Sequence, residues 1–209
     1  MILIGQYDSP FVRRVAIALT HYGLAYEHRP LSVWKDGDAV ATYNPLRRVP
    51  ILVLPGGEAL VDSFAILDAL DEMVPPERAL LARAGAARRA GLRVCALATG
   101  LADKAVSLLY EHVLRADDRR NALWVERCTT QIQATLDVLE GEKATRPSDL
   151  WLEAFSHADV AVACAFRFVT EAHPLLVRAR SRPALAAHAA RCEAMAGFQG
   201  AVQALRVAM

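Results

Sequence analysis

This chain lacks a charge surplus, a membrane-length apolar run, a metal-binding cluster and a redox cysteine pair. Its 209 residues carry 24 Lys+Arg against 23 Asp+Glu, a formal net charge of +1. That balance points to neither a nucleic-acid surface nor an acidic tail, and the arginines, dispersed among acids, read as a solvated helical surface. No stretch reaches the ~18 consecutive apolar residues of a membrane span. The opening "MILIGQYDSP" has neither the basic start nor the long apolar centre of a signal peptide. Cys95, Cys128, Cys164 and Cys192 stand far apart. None forms C-x-x-C or pairs with a histidine at metal-ligand spacing, and the six histidines show no H-E-x-x-H pattern. All four cysteines sit in apolar helix-like stretches and read as reduced core residues of a cytoplasmic protein. There is no internal repeat and no low-complexity tail.

What is present is apolar: 54% of the residues are hydrophobic, enough for one large or two small domains. The chain has two grammars. Up to about residue 74 strands and helices alternate. Residues 1–6 form a short apolar run, expected as a strand. Residues 10–22 place Phe11, Val12, Val15, Ala16, Leu19 and Tyr22 at helical spacing, and Gly23 suits the position after the helix. Residues 25–31 alternate and suggest a second strand, parallel to the first by the right-handed crossover rule. Residues 32–48 read as a polar loop with a helical turn. Residues 49–54 and 56–61 read as an antiparallel hairpin around Gly56-Gly57. Residues 63–74 form a helix stopped by the linker "PPER".

Beyond the linker the pattern is helical only. One long helix is expected over 85–114, a second from the break at 115–121 to about Glu140, a third over about 157–172, and two shorter ones within 175–207. The third has a sharp start: Ser156 at the N-cap, Asp159 three residues on, and Phe155 and Val160 as a hydrophobic staple. That is a folding device without catalytic meaning.

Three motifs in the first part could bear chemistry. In "DSPFV" Pro10 suits the first helical position and Ser9 the N-cap, where unpaired N–H groups and the helix dipole favour an anion. On this motif alone a plain cap is the favoured reading of Ser9, with the anion site as the alternative. In "NPLRRVPIL" Val49-Pro50 enters a strand although proline donates no ladder bond. A cis peptide would resolve this and turn the Val49 backbone toward an extended ligand; a trans proline at an edge strand is the alternative. In "VDSFAIL" Asp62-Ser63 opens a helix. Capping again suffices, but side by side the two can also hold the ammonium and carboxylate of an amino-acid head group.

In order and spacing, "SPFVRRV", "NPLRRVPIL", "DSFAI" and "HADVAVA" resemble the cytosolic glutathione S-transferases, in their serine-type, bacterial-like form. The resemblance covers essentially the whole chain. It implies an α+β thioredoxin-like glutathione-binding domain over residues 1–76, followed by an all-α helical domain over 84–209. It also implies glutathione as co-substrate, conjugation to a small hydrophobic electrophile, and a cytoplasmic homodimer. By its match Ser9 would donate to the glutathione sulfur and stabilise the thiolate without itself being a nucleophile. Val49, with Pro50 cis, would pair with the cysteinyl part. Ser63 and Asp62 would hold the γ-glutamyl carboxylate and amine. Arg48, where many relatives have lysine, would meet the glycyl carboxylate with Lys35 as helper. Asp62 departs from the more frequent glutamate. Tyr7 falls two positions early for the tyrosine of other relatives and is expected to pack near the strand end. Leu101, Val106, Leu108, Leu109 and Tyr110 would line an electrophile pocket or else serve core or interface. Isomerisation, peroxide reduction, disulfide exchange and a non-catalytic binding role are the alternatives.

Overall fold

A computed structural model describes residues 1–205 and divides into two compact units, Met1–Gly85 with the residues from Ala194 onward, and Ala86–Glu193. The first unit begins with β1 (Ile2–Ile4), α1 (Pro10–Tyr22) and β2 (Glu27–Arg29). It continues with α2 (Gly37–Ala41), β3 (Ile51–Val53), β4 (Ala59–Val61) and α3 (Ser63–Glu72). The sheet order is β2-β1-β3-β4, with β1 and β2 parallel and the other pairs antiparallel. The α+β expectation is therefore met, with a helical second unit.

The central strands are apolar throughout because both their faces are covered. Leu3, Ile4, Ile51 and Leu52 are fully buried. The edge strand β2 carries charge instead, and its Glu27 pairs with Arg29 at 2.6 Å. α1 ends in a left-handed Gly23 (φ 68), whose neighbour Leu24 returns an N–H to the Leu19 carbonyl at 2.9 Å.

Each strand is shorter than its apolar run, for local reasons. Gly5 at φ 127 ends β1, and Pro30 follows β2 without an N–H. Pro50 precedes β3 and lies outside its ladder. Gly56 (φ 106) and Gly57 (φ 95) make the hairpin turn, which closes with Leu54 N–H on the Glu58 carbonyl at 2.8 Å. α3 stops at Glu72 ahead of Pro75 and Pro76, and the linker makes a 3₁₀ turn over Pro76–Arg78.

The second unit comprises α4 (Gly85–Leu114, from Ala86 onward), α5 (Ala122–Ala144), α6 (His157–Ala172), α7 (Pro174–Arg178) and α8 (Pro183–Glu193). α5 runs past Glu140 because Lys143 is buried and ties its ammonium to the carbonyls of Ser148 (2.9 Å) and Leu150 (3.2 Å). α6 packs on α7 and α8. Its capping box is complete: fully buried Asp159 accepts from the Ser156 N–H (2.9 Å) and hydroxyl (2.7 Å), and from Trp151 N–H at 2.9 Å.

The stretch expected as two short helices holds α7, α8 and a further helix, α9 (Ala196–Gln199). Positions 206 and 207 of that expectation lie outside the described residues, as do the last residues, 206–209, of the expected second domain. α9 belongs with the first unit: the Gly197 position approaches the Ile17 carbonyl of α1 so closely that an added Cβ would lie 3.6 Å from it.

Candidate functional site

The sheet register gathers the motifs. Ile51 pairs with Ile4 on one side and Val61 on the other. The next residue along each strand is Gly5, Pro50 or Asp62, so all three stand at one end of the sheet. α3 begins there directly, and α1 begins after the short link Gln6–Asp8. Two helix N-termini thus meet the Val49-Pro50 step, whose peptide bond is cis.

Gly5 is what lets these pieces approach. A Cβ at this position would lie 2.6 Å from Val12 Cγ2 and 2.8 Å from Val49 Cβ. Val12 in turn donates its N–H to the half-buried Ser9 Oγ at 3.4 Å. This long capping bond engages one lone pair of Ser9 and leaves the hydroxyl hydrogen to donate elsewhere. The loop before Val49 is shaped by Asn44, which is buried. Its Nδ2 donates to the Arg48 carbonyl at 2.9 Å and its Oδ1 accepts from Leu46 N–H at 3.0 Å.

Across the sheet end, Asp62 caps α3 by accepting from Phe64 N–H at 2.7 Å, and its backbone stands at φ 72. Its carboxylate is on an exposed residue while Ser63 is buried, so the pair offers an accessible anion beside a hydroxyl. Ser63 Oγ accepts from Arg14 Nη1 at 3.4 Å.

The register therefore brings Ser9, Val49, Pro50, Asp62 and Ser63 together. Arg48 adjoins Val49 along the chain and is exposed. Lys35 lies in the loop that leaves β2 at this same end of the sheet, exposed in the turn before α2 with its N–H on Ser32 Oγ at 3.3 Å. Tyr7 packs at the strand end, stacked on His28 with centroids 3.9 Å apart and its hydroxyl 3.0 Å from that of Tyr26. Burial pushes the Tyr7 phenol up, with Tyr26 adding to it, so the group keeps its proton.

The described cysteines are buried, and burial raises the thiols of Cys128 and of Cys192, the latter to about 12. Among the described residues no His/Cys/Asp/Glu group is arranged to hold a metal. In α4, Leu101 and Leu108 are buried, Val106 and Leu109 half-buried and Tyr110 exposed.

Three contributors escaped the sequence reading. Gly5 follows an apolar strand and could have been flagged as a close-approach glycine. The Asn44-Pro45 step signals a turn. Arg13 and Arg14 were expected on a solvated surface, yet each is 2% exposed. Arg13 donates to the carbonyls of Ala201 (2.8 Å) and Phe198 (3.2 Å), partners that no local pattern reveals.

Comparison with known proteins places this architecture. Residues 3–78 match the glutathione S-transferase N-terminal domain and residues 122–191 the C-terminal domain. An uncharacterized GST-like protein of Escherichia coli K12, YibF, is 32% identical over 170 residues, covering 81% of this chain and 82% of that one. The chain belongs to the glutathione S-transferase family. Two solved structures are similar over nearly their whole lengths. One is a glutathione S-transferase from Methylobacillus flagellatus KT with glutathione bound (28% identity, TM-score 0.88, 96% and 98% of the two chains). The other, from Methylobacterium radiotolerans JCM 2831, is a complex with glutathione sulfonate (28% identity, TM-score 0.91, 100% and 97%).

Proposed function

We propose that this chain binds glutathione at the sheet end and activates its thiol for transfer to a small hydrophobic electrophile. The observation that carries the reading is the convergence of two helix N-termini, at Ser9 and Ser63, on the Val49-Pro50 step at one end of the sheet. The relatives with bound glutathione or its sulfonate support the choice of ligand.

In this reading the Ser9 hydroxyl donates to the glutathione sulfur, and the N-terminus of α1 adds its partial positive charge. Both favour the thiolate over the thiol, so the pKa falls below the ~8.5 of a free thiol. The thiolate attacks an electrophilic carbon; a carbon–sulfur bond forms and the leaving group departs with its electron pair, or the pair stays in an addition product. Val49 holds the cysteinyl part through its backbone. Asp62 takes the γ-glutamyl ammonium, and Ser63 with the start of α3 takes the carboxylate. Arg48 meets the glycyl carboxylate as a charge-assisted donor, with Lys35 as helper. The cytoplasmic homodimer belongs to the same proposal, and sedimentation at twice the chain's mass would support the dimer while sedimentation at the chain's own mass would overturn it.

The deciding experiment is an ultraviolet titration of glutathione bound to the wild type and to Ser9→Ala. Ionisation well below the free pKa in the wild type, lost in the variant, supports the assignment. Binding without a shift would remove thiolate chemistry from the pocket.

A further inference from the structure

Arg14 lies in the middle of α1, where a charged side chain normally reaches solvent, yet it is 2% exposed. Its guanidinium reaches the start of α3. Cζ lies 4.8 Å from the centroid of the Phe64 ring, and Nη1 donates to Ser63 Oγ at 3.4 Å. Ser63 is itself 3% exposed. A hydroxyl has one hydrogen and two acceptor lone pairs. With Arg14 occupying a lone pair, the hydrogen does not point at Arg14 and is left to donate elsewhere. The neighbouring Phe64 N–H is already taken by the N-cap Asp62 at 2.7 Å, which leaves the Ser63 hydroxyl among the donors at this turn.

We propose that Arg14 is a positioning residue that orients the Ser63 hydroxyl toward a carboxylate. With exposed Asp62 beside it, the site selects ligands bearing both charges of a free α-amino-acid head group. The inference rests on the glutathione reading and deepens it: specificity for the γ-glutamyl end is set from behind, by a side chain of α1 that never touches the ligand.

The test compares glutathione with γ-aminobutyryl-cysteinylglycine, which lacks only the α-carboxylate. Dissociation constants are measured by calorimetry on the wild type, Arg14→Met and Arg14→Lys, with circular dichroism as a check on folding. The wild type should prefer glutathione. Arg14→Met, which keeps an apolar stem over Phe64, should weaken glutathione by about tenfold and leave the analogue unchanged. Arg14→Lys should lose less, and it carries the comparison if the methionine variant does not fold. Equal weakening of both ligands, or of neither, overturns the proposal, as does a wild type that binds the two alike. A wild type that binds neither overturns the glutathione reading and this inference with it.

Discussion

In the proposed function Ser9 has two tasks that a single substitution confounds, since its oxygen caps α1 through Val12 N–H and its hydrogen is what the thiolate would receive. Ser9→Ala should therefore cost up to about 1 kcal/mol of stability from the cap and lower kcat/KM near pH 6.5 by roughly 10²-fold, the loss expected when a preorganised donor to a developing anion is removed. Ser9→Thr, which also caps, should keep the stability and most of the rate; parallel thermal melts and kinetics separate the two effects. Asp62 poses the converse problem. Its backbone at φ 72 is a conformation costing a non-glycine residue about 1–3 kcal/mol, and such strain gathers at sites. Asp62→Asn keeps the capping oxygen and tolerates the backbone, so unfolding in urea should change by no more than about 0.5 kcal/mol. If Asp62 holds the ammonium as proposed, the KM for glutathione should nevertheless rise about tenfold, because the facing charge is gone. An unchanged KM would detach Asp62 from the head group.

At the scale of elements, the site depends on how closely β1, α1 and the Val49 loop approach, and that is set by an absent side chain. Gly5→Ala would put a Cβ 2.6 Å from Val12 Cγ2 and 2.8 Å from Val49 Cβ, at a φ of 127 that alanine rarely adopts. A destabilisation of at least about 2 kcal/mol should appear as a lowered urea midpoint; a midpoint within error of wild type would mean that the loop yields. The hydroxyl and proline motifs were legible in the sequence because each combines a residue type with a local backbone consequence. The order of elements was legible too, because apolar periodicity changes where strands give way to helices. Strand ends were not: an apolar run does not say where a ladder stops, and Gly5, Pro30 and Pro50 stop it early. Nor was the return of residues after Glu193 to the first unit. It is held by Arg13 on the Phe198 and Ala201 carbonyls and by Tyr7 N–H on Gln203 Oε1 at 3.0 Å, contacts nearly two hundred residues apart that no window of sequence contains.

At the scale of the whole molecule, the helical unit carries a buried polar centre that should limit the chain in acid. His188 is 1% exposed, between the Asp149 and Asp159 carbonyls and the Cys192 sulfur. Burial pushes its pKa down, and this outweighs the opposing pull of Asp159. Burial depresses His173 in the same direction, against its bond to the Ala105 carbonyl. A neutral ring has a single N–H. That one N–H can serve only one of the Asp149 and Asp159 carbonyls at a time, and the neighbouring Cys192 thiol, pushed up by burial to about 12, keeps its proton. Both histidines are thus folded in their uncharged form, whereas in the unfolded chain they titrate near ~6.5. Below that pH the unfolded state binds protons that the folded state refuses. The stabilisation is complete above about 6.5 and is lost as pH falls toward the depressed folded values. Carboxylates do not obscure the window. Arg93 holds Glu142 below its usual range, and Arg182 and Arg180 do the same for Asp137 against the effect of burial; their contributions fade only below about pH 4. Urea midpoints should therefore stay level from pH 7.5 to about 6.5 and fall from there to pH 5. His188→Gln should flatten that dependence even though it lowers stability at neutral pH by leaving the carbonyls less well served. If the variant keeps the wild-type slope, the acid sensitivity lies with other groups and the buried histidine is only packed.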